Sequence, residues 1–129
     1  KKLYSTALAL GASFPVHTSP YAYVSPSAQA GQGTIIMHHA MLNAQARVGN
    51  NCIINSKALL EHEVSVGDHC HVSTGAIING GSVIEDGCFI GSQACIGQGV
   101  LIGKNSVLGA GAIVLKDVPA ESKIVGIWA

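Results

Sequence analysis

Charge is scarce in this sequence. Only 11% of its 129 residues are Asp, Glu, Lys or Arg, against roughly a quarter in an ordinary soluble domain. The seven basic and seven acidic residues cancel, so there is no basic field to attract nucleic acid or an anionic membrane. Long apolar runs are missing as well. None approaches the ~18 residues of a membrane-spanning helix. Four cysteines without a secretory framework predict free thiols in a reducing cytoplasm, not a disulfide scaffold. What remains is a chain of one-domain length that is 48% apolar.

Those apolar residues recur with a period. Stepping by six from Val24, through Ile36, Ile54, Leu60, Val72, Ile90 and Leu108, to Val114 meets only Val, Ile, Leu or Ala. Four places after each step stands a small residue or a Val, as at Ala40, Cys52, Ala76, Ser82 and Ala112. A helical period of 3.6 cannot keep residues six apart on one face, whereas the strand period of two can. The small residue stands two before the next aliphatic one, so both point to the same side of a strand.

The turns follow from the same register. Three places after an aliphatic step, Gly or Asn recurs, as at Gly33, Asn51, Gly75, Gly81 and Asn105. Both tolerate positive φ in a tight turn. Short strand and turn alternating at six residues predict an all-β fold, the hexapeptide parallel β-helix. Three hexads close one triangular coil, and residues eighteen apart then stack about 4.8 Å apart. Residues 30–119 make about five coils, or ~24 Å of prism at that spacing.

The ends differ from the ladder. Lys1 to Gly11 imitates a signal peptide, but its apolar part is short and broken by Ser5 and Thr6. Leu3, Ala7 and Leu10 share a helical face and Gly11 is a stop signal, so a short N-terminal helix is expected. Phe14 to Tyr23, with Pro15 and Pro20, reads as an extended linker. The division expected is therefore a helix and linker over 1–23, a β-helix over 24–119, and a tail over 120–129 folding back on the last coil. The sequence does not open on Met, and a piece of a longer protein is expected.

Outward-facing residues stack in three columns. Met41, Leu59, Ile77, Cys95 and Ile113 form one, and Ile35, Ile53, His71, Phe89 and Val107 a second. Both are largely apolar, and a monomer would leave both stripes in water. The third, Arg47, Ser65, Val83 and Leu101, is polar in its first half. A homo-oligomer covering two of the three faces is expected.

Candidate chemistry rests on few residues. Cys52, Cys70 and Cys88 are eighteen apart in the inward register and read as space fillers, with neither the exposure nor the lowered pKa of a catalytic thiol. Of the six histidines, His17, His38, His39, His62, His69 and His71, three would suffice for a zinc ion. However, His69-Cys70-His71 points its Cys inward and its histidines outward, and no metal is expected. His62 stands apart, at a corner between Glu61 and Glu63. A neighbouring carboxylate can hold an imidazole's tautomer and stabilise its protonated form, which a general base requires. The spacing alone serves a solvated acidic corner equally well.

The rung Ile54-Asn55-Ser56-Lys57-Ala58-Leu59-Leu60-Glu61-His62-Glu63, followed by Val66-Gly67-Asp68-His69-Cys70-His71-Val72-Ser73, resembles the signature of the NeuD/PglD-type sugar acetyltransferases. The resemblance extends from Phe14-Pro15 to Lys116-Asp117-Val118-Pro119. It implies a left-handed β-helix, a homotrimer with sites between neighbours, and acetyl-CoA as co-substrate. It also implies a sugar or nucleotide-sugar acceptor, with N-acetylation of a nucleotide-linked 4-amino sugar in surface glycan biosynthesis foremost. O-acetylation of a sugar such as sialic acid is the alternative, and a non-catalytic scaffold is a third reading. By the same resemblance His62 is the general base and Glu63 raises its basicity. His71 lies beside the thioester, and Ser92 and Ala110 hold the pantetheine arm through their backbone. Ser92 and Ala110 are eighteen apart, so a long cofactor lying along one edge would meet both. The family usually carries an N-terminal Rossmann-like nucleotide-binding domain, and Lys1 to Gly11 resembles only its final helix. The tail Gly126-Ile127-Trp128-Ala129 lacks the Pro that the family usually places before Ala.

Overall fold

The ladder residues are the second members of two-residue strands whose first member points outward, as in Ile53–Ile54, Leu59–Leu60 and Ser65–Val66. The structure, a computed structural model, describes residues 1–129. Its strands stack into three parallel sheets of seven, seven and five strands, wound as a left-handed parallel β-helix. Val72 pairs with Ile54 on one side and Ile90 on the other. The six-residue period thus places these three on one face. From Ile36 onward the aliphatic column is buried, and with the small residues it forms one cluster of 27 side chains. Val24 and Ala30, near the open end, are only half-buried.

The three outward columns occupy the three faces as the register requires. The first face carries Ile35, Ile53, His71, Phe89 and Val107. The second carries Met41, Leu59, Ile77, Cys95 and Ile113. The third carries Arg47, Ser65, Val83 and Leu101. Positive φ recurs at the expected corner position, and Gly and Asn share it with His39, Gln45, Lys57, Glu63, His69 and Gln93. Each non-Gly residue there costs about 1–2 kcal/mol of backbone strain. The stacked corners offset it with inter-coil bonds, such as Glu63 N–H to the Ala44 carbonyl at 2.9 Å.

The inward cysteines do more than fill space. The Cys52 thiol donates to the Gly67 carbonyl at 3.0 Å, Cys70 to Glu85 at 3.1 Å and Cys88 to Gly103 at 3.2 Å. Thr34 does the same for Gly49 at 2.8 Å and Ser106 for Pro119 at 3.0 Å. Apart from Pro119, which Ser122 also bonds, these carbonyls have no other donor. The column thus gives partners to corner carbonyls that no backbone donor reaches.

Both ends extend further than the aliphatic ladder. His17–Thr18 already pairs with Ile35–Ile36, so part of the expected linker is strand. At the other end Lys123–Ile124 pairs with Val107–Leu108, and Ile127–Trp128 with Ile113–Val114. The tail adds strands to two sheets instead of folding back, and the helix makes about six turns, not five. Trp128 closes this end, its Nε1–H donating to the Asp117 carbonyl at 3.1 Å beneath the Lys116 ammonium.

The N-terminal helix spans Lys2–Ala9. Gly11, at φ 85°, ends it, with Gly11 N–H bonded to the Leu8 carbonyl and Ala12 N–H to Ala7 in a Schellman pattern. The expected apolar face is not the packed one, for Leu3 and Leu10 are more than 80% exposed. Tyr4 docks the helix instead, against Phe14 and edge-on to His69, with its hydroxyl donating to the Gln32 carbonyl.

Candidate active site

Leu60 is fully buried, so the chain must turn outward directly after it. Glu61, His62 and Glu63 form that corner, on the edge between the second and third faces. Glu63 and His62 turn toward each other, with His62 Nδ1 3.2 Å from Glu63 Oε2. Both side chains are more than half exposed. Glu61 takes no part in that contact, and its Oε2 accepts from Asn43 Nδ2 at 2.9 Å. A carboxylate can only accept, so the hydrogen between Glu63 and His62 sits on Nδ1. Nε2 is left with its lone pair, as a base requires.

Gly80, eighteen residues after His62, makes room for that ring. A Cβ on Gly80 would lie 2.5 Å from His62 Nε2 and 2.6 Å from Cε1. No left-handed backbone explains a glycine here, since Gly80 is absent from the positive-φ residues. Sequence reasoning missed this residue, although the stacking rule that aligned the cysteines also sets Gly80 beneath His62.

His71 stands on the first face. Its ring meets Phe89 edge-on at 5.2 Å, and its Nε2 lies 3.3 Å from Asn55 Nδ2. Burial holds its pKa below the ordinary histidine value. Ser92 and Ala110 are exposed on the edge between the first and second faces, joined by the Gly111 N–H bond to the Ser92 carbonyl. The coils meet closely there, for a Cβ on Gly91 would fall 2.6 Å from the Ala110 nitrogen.

The candidate residues therefore form two groups, not one. His62 and Glu63 occupy one edge. His71, Ser92 and Ala110 lie on or beside another, with the second face between them, six residues or at most ~20 Å of strand across. The chain by itself encloses no cavity around either group. No three His, Cys, Asp or Glu side chains converge as metal ligands would. Among the inward thiols, the hydrogen bonds they share push the Cys70 pKa far up and draw those of Cys52 and Cys88 down, so the expectation that none is lowered holds only for Cys70.

Residues 45–79 and 82–116, more than half of the chain, match the family described as hexapeptide repeat of succinyl-transferase. None of the curated proteins compared with the sequence is detectably similar to it. Among solved structures, the acetyltransferase domain of PglB from Neisseria gonorrhoeae, in complex with acetyl coenzyme A, superposes with a TM-score of 0.94 at 34% identity. The match covers 97% of this chain and 61% of that one. A histidine-to-alanine mutant of GDP-perosamine N-acetyl transferase from Caulobacter crescentus, in complex with CoA and GDP-perosamine, gives 0.95 at 32% identity, over 97% and 60%. WeeI from Acinetobacter baumannii gives 0.92 at 29%, over 97% and 61%. The chain thus spans about three-fifths of the length of these relatives. It belongs to the hexapeptide-repeat family of β-helix transferases and resembles that family's NeuD/PglD-type sugar acetyltransferases.

Proposed function

We propose that the protein is an acetyl-CoA-dependent acetyltransferase that N-acetylates a nucleotide-linked amino sugar, with His62 as general base. The observation that carries this is the His62–Glu63 pair over Gly80, which leaves Nε2 its lone pair on a half-exposed ring at a prism edge. The relatives solved with acetyl coenzyme A and with GDP-perosamine supply the chemical classes of donor and acceptor.

The acceptor amine attacks the thioester carbonyl carbon, and the C–N bond forms. His62 Nε2 takes the proton that the amine loses, while Glu63 stabilises the imidazolium through Nδ1–H. The tetrahedral intermediate then collapses and the C–S bond breaks. The thiolate of CoA leaves and takes the proton from His62, so the products are the amide and CoA thiol. No acyl-enzyme is required, and the inward cysteines, committed to backbone carbonyls, are poorly placed to form one.

The two separated groups of residues favour a site between subunits. His62 and Glu63 of one copy would face the edge of Ser92 and Ala110 on another, along which the pantetheine arm lies. The two apolar stripes, on different faces, suit a cyclic assembly in which unlike surfaces meet, and we propose a homotrimer. A nucleotide-binding domain ahead of Lys1, which the resemblance implies, would grip the nucleotide. Acetyl-CoA, nucleotide sugars and free thiols together fit a cytoplasmic reaction.

The test is to incubate the protein with acetyl-CoA and a panel of nucleotide-linked amino sugars, following CoA thiol release and the mass of the sugar. Acetylation of an amino sugar, with none of its hydroxy counterpart, is expected. Acetylation of hydroxyls only, or no binding of acetyl-CoA, would overturn the proposal.

A further inference from the structure

Asn55 has one orientation. Its Oδ1 accepts from the Ser56 backbone N–H at 2.7 Å, which only the oxygen of the amide can do. The amide nitrogen therefore points the other way, and it is this Nδ2 that lies 3.3 Å from His71 Nε2. An amide NH₂ can only donate. His71 Nε2 must then accept, which requires that it carry no hydrogen. In a neutral ring the hydrogen is left on Nδ1. An imidazolium would set two donors against each other, so Asn55 also opposes protonation. The packing agrees, since Phe89 meets the ring edge-on at 5.2 Å and the one ion pair of the chain, His62–Glu63, does not involve it. Nδ1 has no partner within the chain, and the ring is half-buried.

We infer that Asn55 holds His71 as the neutral Nδ1–H tautomer, so that the ring, which the resemblance to the sugar acetyltransferases sets beside the acyl thioester, keeps its donor on Nδ1. This rests on the proposed acetyl transfer for its ligand but not for its tautomer. As the amine attacks, the thioester oxygen gains negative charge, and a donor already fixed beside it stabilises that charge without reorganising. No proton is transferred in this step. The hydrogen stays on Nδ1, and the proton traffic runs through His62. Asn55 is a positioning residue that acts through His71. The two imidazoles are thus assigned opposite tasks, and each tautomer is fixed by a different neighbour. Glu63, an acceptor, places hydrogen on His62 Nδ1 and frees Nε2 as a base. Asn55, a donor, blocks His71 Nε2 and leaves Nδ1–H as an electrophile.

The experiment reads the tautomer directly, by ¹⁵N–¹H correlation of the imidazole rings in the full chain, with His71→Gln identifying the His71 signals. In the wild type His71 is expected to show a hydrogen-bearing Nδ1 and a bare Nε2. Asn55→Asp keeps the bond to Ser56 N–H but turns the facing group into an acceptor, so the hydrogen is expected to move to Nε2. In that variant kcat is expected to fall about 10–100-fold, by analogy with partners that orient metal-bound imidazoles, with the KM for acetyl-CoA little changed. A wild-type His71 bearing hydrogen on Nε2, or a tautomer unmoved by Asn55→Asp, would overturn the inference. So would full kcat in a variant whose tautomer has moved. Should no sugar be acetylated at all, the proposed function fails and the spectra still decide the role of Asn55.

Discussion

The imidazole of His62 rests against the backbone of Gly80, so closely that a single added methyl would fall 2.5 Å from Nε2. Gly80 is buried beneath it. Its backbone is one that any residue can adopt, because its φ is not in the left-handed region.

Gly80→Ala should therefore fold normally and displace the His62 ring. Misplacing a catalytic group by about 1 Å costs up to ~10²-fold in rate, and a fall in kcat of that order is expected with acetyl-CoA still bound. If Gly80 acts only by seating His62, adding Gly80→Ala to His62→Ala should cost nothing further. Equal losses in both backgrounds would show that Gly80 acts by another route.

Ile77 lies mid-way along the apolar stripe of the second face and is 38% exposed on the single chain. A charge there is tolerable in water and costly once a neighbouring prism covers it. Ile77→Asp should leave the β-helix folded and dissociate the assembly. Sedimentation should give a trimer for the wild type and a monomer for the variant. A wild type that sediments as a monomer at micromolar concentration would contradict the assembly.

The thiol column separates packing from hydrogen bonding. Cys70→Ser keeps a donor to the Glu85 carbonyl, as Thr34 and Ser106 do at equivalent positions. Cys70→Ala nearly matches the volume of serine and loses the donor. Leaving that carbonyl unpaired should cost about 1–3 kcal/mol, so denaturant titration should rank Ala below Ser. Equal stability of the two would show that the hydrogen bond contributes nothing in this column.

His71 should remain neutral at a pH where an ordinary histidine is half protonated, because burial lowers its pKa. Between its folded and unfolded values the unfolded chain binds more protons, so folding stability is full above the unfolded value and falls as pH drops through it. His71→Gln should lose less stability than the wild type on acidification from neutral pH to about one unit below the ordinary histidine value. An identical loss in both proteins would assign the effect elsewhere.

Much of this was legible because a six-residue period leaves few alternatives. The burial of Leu60, Ile78 and Ile96, the three outward columns and the cysteine stack all follow from counting. The ends were less legible for a physical reason. His17–Thr18 and Lys123–Ile124 place polar residues outward, and the last rungs shorten their step, so neither reads as ladder although both pair as strands. At the corners, Gly and Asn announced positive φ, whereas Glu63 and His69 adopt it only because the coil imposes it. The site was legible as far as the chain brings neighbours together. His62 and Glu63 are adjacent. Asn55 and His71 are sixteen apart and meet diagonally across coils, a spacing that the eighteen-residue rule does not pick out. The helix misled, since Leu3 and Leu10 signalled a face that Tyr4 takes over.

The most direct test of the central claim is the turnover of His62→Ala with acetyl-CoA and the amino sugar that the wild type acetylates. Removing a general base costs typically ~10²–10⁴-fold in rate. A fall of kcat in that range is expected, with acetyl-CoA binding unchanged by calorimetry and a smaller loss for Glu63→Ala. Near-full activity in His62→Ala would contradict the account and leave Glu61, His62 and Glu63 as an acidic corner on a scaffold.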